Sequence, residues 1–168
     1  MEGLQMEARE ILEQVKTGEI SVSEAESYFR RQPLEELGYA KLDTHRKLRS
    51  GFAEVVFCSG KADEHLLRIY ERIYEAEGEV LGTRASKEQA ALIQDKFSEA
   101  EYDALSRILK IEKKDKKRIG QIAVCTAGTA DIPVAEEAAQ TAEFFGNRIE
   151  RIYDVGVSGI HRLLSRVE

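Results

Sequence analysis

The stretch from Ile122 to Gly146 constrains the fold most, because it has the pattern of a strand, a loop and a helix in immediate succession. Ile122–Cys125 is a short apolar run, which is typical of a strand covered on both faces. In the helix that follows, Asp131 is placed to cap the N-terminus, Pro133 suits the first turn and Gly146 suits the stop. Four residues at helical spacing mark its predicted buried face: Val134, Ala138, Ala142 and Phe145. The pattern predicts an α/β fold built on parallel strands.

The loop from Thr126 to Asp131 is where a ligand is expected first. Ligands of open α/β sheets bind off the carboxyl ends of strands, and helix N-termini favour anionic groups. We therefore predict that the backbone amides of Thr126, Gly128 and Thr129 hold phosphate or carboxylate groups. The same small residues would equally suit an ordinary tight turn between a strand and a helix, so the loop alone leaves both interpretations open.

A second loop with glycines follows the next predicted strand, Arg148–Val155, and leads into a helix at Ile160. Because the crossover between neighbouring parallel strands is right-handed, both loops are expected at the same edge of the sheet. Asp131 and His161 would then face one crevice. An imidazole exchanges protons near neutral pH, so this pair suits proton transfer, although each residue would also suit a purely structural role.

Upstream, the sequence predicts a helical hairpin whose role is packing or oligomer contact. The first helix ends at Gly18, and a capping box at Ser21–Glu24 starts a second helix that runs to about Arg31. Five apolar residues share one face of the first helix: Leu4, Ala8, Ile11, Leu12 and Val15.

A small α/β unit, residues 39 to 111, is predicted next, with two or three parallel strands. Strands are expected at Glu54–Cys58 and Glu79–Thr83, and a capping box at Ser86–Gln89 starts a helix. The segment Ala104–Ile111 fits either a strand or a helix, and we favour the strand.

Four cationic residues of this unit are candidates for contacts with an anionic substrate: Arg46, Arg49, Lys61 and Arg84. Lys61 stands at the N-terminus of a helix, and Arg84 follows a strand. Arg46 and Arg49 belong to a basic cluster with His45 and Lys47, where a guanidinium fork would suit a phosphate or carboxylate. As a solvated charge run, the cluster needs no function.

Composition excludes several classes of function. Of 168 residues, 42% are hydrophobic and 33% charged, which is typical of a globular protein, and the net charge of −6 argues against a general nucleic-acid binder. No apolar run could span a bilayer and no signal peptide is evident, so we expect a cytoplasmic protein without a membrane partner. Cys58 and Cys125 each end a predicted buried strand and are interpreted as core thiols. The three histidines are too scattered to predict a metal site.

The two loops resemble those of PurE-type enzymes. The PurE pattern has a Gly-Ser-x-Ser-Asp loop, a helix that ends in Phe-Gly and a Ser-Ala-His-Arg loop one strand later. Thr129 and Asp131 stand in the first loop here, and Phe145–Gly146 ends the helix. The second loop matches at three positions: Ser158, His161 and Arg162. Threonine and alanine replace the serines of the first loop, and two leucines replace the usual Thr-Pro after the second, which counts against classical purine substrates.

The chain closely resembles the LarB family over essentially its whole length, in the motifs LDTHRKLRSGFAEVVFCSGK, VLGTRAS, AGTADIPVAEEAA and DVGVSGIHRLL. LarB enzymes make the first intermediate of the nickel-pincer nucleotide cofactor. The resemblance implies that nicotinic acid adenine dinucleotide is carboxylated at C5 of its pyridinium ring and cleaved at its phosphoanhydride. The products would be pyridinium-3,5-biscarboxylic acid mononucleotide and AMP. The co-substrate would be CO₂ or bicarbonate, Mg²⁺ is compatible but no resident cofactor is implied, and a homo-oligomer is expected.

The resemblance also implies roles for the two loops. His161 would shuttle a proton, Arg162 would orient an anionic group, and Asp131 would act as an acid, a base or a ribose contact. Ser158 and Gly159 would bind substrate beside them. A thiolate must add to the pyridinium ring to make an enamine that attacks CO₂. The nucleophilic cysteine of the family lies beyond the position of Glu168, so the chain is expected to stop within the PurE-like domain and to be inactive by itself.

With this resemblance, the expected architecture is α/β in three parts. A helical hairpin occupies residues 1–36, a small α/β unit that ends in the polar run Lys110–Arg118 occupies 37–117, and the first half of a PurE-like, flavodoxin-like parallel three-layer domain occupies 118–168. Two rival functions stay open. One is a plain aminoimidazole ribonucleotide carboxylase or mutase of the PurE type, and the other is a nucleotide-binding or assembly module without activity of its own.

Overall fold

The structure, a computed structural model, describes residues 8–29, 34–36, 41–43, 46 and 51–165. Its helices are α1 (Ala8–Thr17), α2 (Val22–Phe29), α3 (Asp63–Glu77), α4 (Lys87–Lys96), α5 (Ile132–Phe144) and α6 (Ile160–Leu164). Its strands are β1 (Leu34–Glu36), β2 (Lys41–Asp43), β3 (Val55–Phe57), β4 (Val80–Thr83), β5 (Glu101–Asp103), β6 (Ile108–Ile111), β7 (Ile119–Cys125) and β8 (Asn147–Ile152). Helices that follow parallel strands and cover the sheets confirm the predicted α/β class.

The helical hairpin forms largely as its local sequence predicts. Helix α1 is followed by Gly18, whose φ of +79° is the left-handed conformation that favours glycine. The capping box is present, because the Glu24 amide donates to Ser21 Oγ at 3.2 Å and the Ser21 amide donates to Glu24 Oε2 at 2.7 Å. On the predicted apolar face Ile11 is buried, whereas Leu12 is exposed. Leu4 and the expected helix limit near Arg31 lie outside the described residues.

The central sheet, strands β3 to β6, has the order β3-β4-β6-β5. Strands β3 and β4 are parallel, but β6 is antiparallel to both β4 and β5. The expectation of two or three parallel strands therefore holds for two. The strand favoured within the segment Ala104–Ile111 forms at Ile108–Ile111, but it is antiparallel to its neighbours. That segment opens as a turn because Asp103 accepts hydrogen bonds from the Leu105 amide at 3.2 Å and from Ser106 Oγ at 2.7 Å, which reverses the chain before β6.

Helices α3 and α4 cover one face of the central sheet and form the main hydrophobic core. The predicted capping box of α4 is present, with Ser86 Oγ and the Gln89 side chain each accepting a bond from the other residue's amide. Cys58 is fully buried in this core, and burial raises the pKa of its thiol. The core comprises chiefly apolar residues of β3, β4, β6, α3 and α4: Val56, Cys58, Leu66, Ile69, Tyr70, Ile73, Val80, Ala85, Ala90, Ile93, Ala100, Leu109 and Ile111.

Helix α5 packs on the other face of the central sheet. Phe144 is buried there with Leu81 and Ile108, which alternate along β4 and β6 with residues of the main core. The buried residues of α5 are Ala135, Ala139 and Phe144, so the predicted face is wrong by one residue, and Val134 is 60% exposed. The difference arises because α5 lies between two partners, the central sheet and β8.

Strands β7 and β8 form a separate parallel pair, with Ile122 opposite Ile149 and Cys125 opposite Ile152. The prediction that β7 is covered on both faces is wrong in this chain, because Ile119 is 62% and Ile122 is 40% exposed. Among the described residues, β7 has β8 as its hydrogen-bonded neighbour and α5 beside it. Cys125 is consequently exposed, which corrects its interpretation as a core thiol.

The polar run Lys110–Arg118 is anchored to the protein, although a run of charges is more often a solvated connector. Lys116 Nζ lies 2.6 Å from Glu79 Oε2 and 4.0 Å from the centre of the Phe144 ring, and it donates to the Phe144 carbonyl. The run therefore joins β4, β6 and α5, and the three domain limits drawn from the sequence stay predictions. In the described part of the chain, none of the helices is both long and apolar enough to cross a membrane.

Candidate functional site

The two predicted loops meet at the carboxyl ends of β7 and β8. We call residues 126–131 the first loop and residues 156–162 the second loop. The Thr126 carbonyl accepts from the Val155 amide at 2.9 Å, and the Gly156 amide donates to the Ala127 carbonyl at 3.0 Å. A Cβ atom added to Gly156 would lie 2.8 Å from that carbonyl oxygen, so only glycine permits this approach. The expectation that both loops lie on one edge of the sheet is confirmed.

Thr126 holds the loops together and does not present its amide to a ligand. Its side chain is buried, and Oγ1 accepts from the Asp154 amide at 3.1 Å. Its own amide donates to the Ile152 carbonyl at 3.1 Å. The predicted role of this amide as an anion donor is therefore wrong, whereas an added Cβ on Gly128 would meet nothing within 4 Å, which places Gly128 at open space.

Asp131 occupies the N-cap position of α5 but makes no capping hydrogen bond with its side chain. Its φ of −87° and ψ of −11° are helical, because a 3₁₀ turn at Thr129–Asp131 runs directly into α5, and capping side chains usually need an extended N-cap residue. The prediction of a capping side chain is wrong. The carboxylate is instead an exposed group at the first loop, where it is not engaged by the helix terminus.

The second loop carries His161 and Ser158 as exposed residues and Gly159 as a buried one. A 3₁₀ turn at Val157–Gly159 leads into α6. Arg162 Nη1 forms an ion pair with Asp154 Oδ2 at 2.6 Å, so an anionic ligand would compete with this carboxylate for the guanidinium. The loop therefore presents an imidazole and an arginine beside the first loop, and proton transfer between Asp131, His161 and a ligand stays a prediction.

The described cationic candidates of the N-terminal part lie in separate segments of the chain. Arg84 adopts a φ of +56°, and its Nε lies 2.5 Å from Glu137 Oε2 of α5. The Lys61 carbonyl accepts from Gln89 Nε2 at 3.2 Å, which fixes the backbone ahead of α3. Arg46 is exposed, and Arg49 lies outside the described residues. Arg84 is thus placed against the helix that follows the first loop, where it contacts a carboxylate of the protein.

A polar cluster between α5 and β8 was missed by the sequence reasoning. Arg151 Nε lies 3.0 Å from Glu136 Oε1, and its two terminal nitrogens donate to Glu143 at 2.7 and 2.9 Å. Tyr153 donates to Glu136 Oε1 at 2.7 Å, and burial together with this hydrogen bond raises the pKa of Tyr153 to about 12. The sequence did carry an indication of this polar cluster. Glu136, Gln140 and Glu143 have the spacing of one side of a helix, and that side faces alternate residues of β8.

The described residues show no metal site. They contain no group of three or more histidine, cysteine, aspartate or glutamate side chains that could hold an ion. The chemistry that the site offers is hydrogen bonding, charge and proton exchange at the two joined loops.

The fold and the joined loops define an α/β protein whose candidate site lies at the carboxyl edge of a parallel strand pair. Residues 34–114 match the family model described as the LarB/PurE-like N-terminal domain. The chain is also 36% identical over 165 residues to an uncharacterized protein of Methanocaldococcus jannaschii, an alignment that covers 92% of this chain and 64% of the relative. These similarities support the LarB-like relationship that the motifs indicate.

Proposed function

We propose that this protein acts in the biosynthesis of a nickel-pincer nucleotide cofactor, by carboxylating the pyridinium ring of nicotinic acid adenine dinucleotide and hydrolysing its phosphoanhydride. The observation that carries the proposal is the LarB/PurE-like match over residues 34–114 next to two loops joined at one sheet edge. Since the chain spans 64% of the length of the curated relative, the activity is proposed for the complete gene product.

The proposed carboxylation has three steps. A thiolate adds to the ring and makes an enamine, the enamine attacks CO₂ at C5, and loss of the C5 proton and of the thiol restores the aromatic ring. His161 is assigned the transfer of that proton, and Asp131 is assigned an acid, base or ribose contact. Arg162 is assigned an anionic group of the substrate, which it would bind by leaving Asp154.

Binding and turnover test the proposal separately. Calorimetric titration of this chain with nicotinic acid adenine dinucleotide should give saturable binding that Arg162→Met weakens. Turnover is measured on the complete gene product with CO₂ supplied, and the biscarboxylated mononucleotide and AMP should appear together. Carboxylation of aminoimidazole ribonucleotide instead would establish the plain PurE-type function. Binding without turnover of either substrate would establish a module without activity of its own.

His161→Ala should lower turnover by about a hundred- to ten-thousand-fold while leaving the melting temperature nearly unchanged, because a general acid or base contributes on that scale and the exposed ring adds little packing. His65→Ala, which removes a histidine from α3, is the matched control and should leave turnover unchanged. Equal turnover of the two variants would remove His161 from the reaction.

A further inference from the structure

Helix α5 is held from the side of the central sheet by a polar contact that continues to the second loop. Gln140 Nε2 donates to Asp103 Oδ2 of β5 at 2.7 Å and lies 3.4 Å from Glu136 Oε2, one turn earlier on α5. Both partners are carboxylates, which only accept, so the amide nitrogen of Gln140 is the atom that faces them. One side chain thus joins the two acids across the boundary between the sheet and the helix.

Asp103 is a fixed point for this contact. Its carboxylate also accepts from Ser106 Oγ at 2.7 Å and from the amides of Leu105 and Ser106 at 3.2 Å each. Burial acts to raise the pKa of Asp103, but the hydrogen bonds from Ser106, Gln140 and Leu105 together hold it below its ordinary value. A carboxylate held by its own turn cannot follow α5 if the helix shifts, so the bond to Gln140 adds a polar contact to the packing of Phe144 and the Arg84–Glu137 ion pair, which also hold the helix against the central sheet.

Glu136 also connects α5 to the residue that follows β8. Tyr153 donates to Glu136 at 2.7 Å. The next residue, Asp154, has a φ of +59°, donates its amide to Thr126 of the first loop at 3.1 Å and pairs with Arg162 of the second loop at 2.6 Å. Such a conformation is uncommon for a non-glycine residue, although aspartate adopts it more readily than most. The polar chain Asp103–Gln140–Glu136–Tyr153 therefore ends at Tyr153, directly before the residue that binds both loops.

We infer that Gln140 is a positioning residue, which couples the central sheet to the second loop through Glu136 and Tyr153 and so fixes where His161 and Arg162 stand. The inference rests on the proposed function only for what those two residues do once positioned. Under this inference, β5 of the N-terminal part helps to position the residues of the site without contacting a ligand itself. A chain of contacts is a mechanism only if its links are coupled, so the test measures coupling.

Gln140→Met keeps the length of the side chain and removes its donors. In ¹H–¹⁵N spectra of this chain, the variant should shift the amide signals of residues 154–162 and the ring signals of His161. The control is Gln94→Met, because Gln94 Nε2 is also a hydrogen-bond donor on a helix and donates to the Ala100 carbonyl at 3.0 Å, away from the polar chain. The control should lower the melting temperature comparably and leave the second-loop signals in place.

Tyr153→Phe removes the next link and also serves if Gln140→Met does not fold. It should shift the same signals, and the double variant should shift them no further than Tyr153→Phe alone. Second-loop signals that match the wild type in both single variants, with only the melting temperature lowered, would overturn the inference. Because these readouts need no ligand, failure of the wild type to bind nicotinic acid adenine dinucleotide would reject the proposed function and leave this test intact.

Discussion

Gly82 is the position in the central sheet where one added carbon would disturb the most. A Cβ atom there would overlap the Tyr70 hydroxyl and lie 2.8 Å from Cys58 Sγ. The hydroxyl is not free to move away, because it donates to the Leu109 carbonyl at 2.9 Å in the buried core. Glycine at this point of β4 is therefore required by the packing of Tyr70, which reaches the sheet from α3.

Gly82→Ala should lower the free energy of unfolding by about 2–4 kcal/mol, since overpacking and a strained buried hydrogen bond both contribute. Denaturant titration measures the change. Gly128→Ala is the control, because an added Cβ there meets nothing within 4 Å, and it should be nearly neutral. Tyr70→Phe in the Gly82→Ala background removes the overlapping oxygen, so the double variant should lose less than the sum of the two single losses. Simple additivity would contradict the account.

Glu143 makes the stability of the fold depend on pH. Hydrogen bonds from Arg151 hold the pKa of Glu143 below its ordinary value, with burial opposing them. The folded state therefore binds this proton more weakly than the unfolded chain does. The contribution of Glu143 to stability is complete above the unfolded carboxyl pKa of about 4.3 and is lost as the pH falls through the lower folded value.

Glu143→Gln should consequently destabilise the protein at pH 7 and leave it unchanged at about pH 2, where the wild-type carboxyl is protonated in both states. Chemical denaturation at several pH values between these limits follows the loss. Glu150→Gln, on the same strand as Arg151, controls for removing one exposed carboxylate. A difference between wild type and Glu143→Gln that stays constant down to low pH would show that the ion pair with Arg151 is not its source.

Helix starts offer a direct comparison at the level of elements. Ser86 caps α4 through its side chain, whereas Asp131 stands at the start of α5 without such a bond. Ser86→Ala should therefore cost about 1 kcal/mol of stability, and Asp131→Ala should cost less than half of that. Thermal and denaturant unfolding of both variants measure the two losses. A larger loss for Asp131→Ala would restore the capping role that the sequence predicted.

At the scale of elements, the sequence could predict the features that depend on residues close to one another along the chain. The capping boxes at Ser21 and Ser86 and the helix stops at Gly18 and Gly146 depend on neighbours within a few residues, and each forms as expected. The buried face of α5 depends on two partners distant in sequence, and it was predicted one residue out of place.

The candidate site shows the same division. The pairing of the two loops follows from strand–helix–strand order and was predictable, but the engagement of Arg162 by Asp154 and the bridge through Gln140 were not. The bridge requires knowing that Asp103 of β5 lies 2.7 Å from the Gln140 side chain of α5. The ion pair requires knowing how the chain turns between β8 and α6. A stripe of acids and a glutamine on a helix predicts polar contacts without naming their partners.

For the whole molecule, the exposed apolar surface of β7 and α6 predicts association. Ile119, Ile122, Ile160 and Leu164 are exposed large apolar side chains. Within the part of the chain that the structure describes, β7 is paired along one edge, and its other edge can accept another strand. We expect light scattering at micromolar protein to give a mass above that of the monomer, as the family resemblance also implies. Ile119→Lys with Ile122→Lys should shift the mass towards the monomer, because lysines on an edge oppose pairing. A monodisperse wild-type monomer would contradict the prediction.

The contact between Gly156 and the Ala127 carbonyl limits how this site can be re-engineered. The partner of Gly156 in this contact is the main chain of Ala127, which every residue at position 127 would carry, so a bulkier residue at position 156 is excluded whatever side chains the first loop contains. Libraries that randomise the second loop alone should therefore return glycine at position 156, whatever activity is selected, whereas the exposed position 127 should accept a range of side chains. New specificity is accessible at the exposed positions of both loops, provided that this one contact is kept.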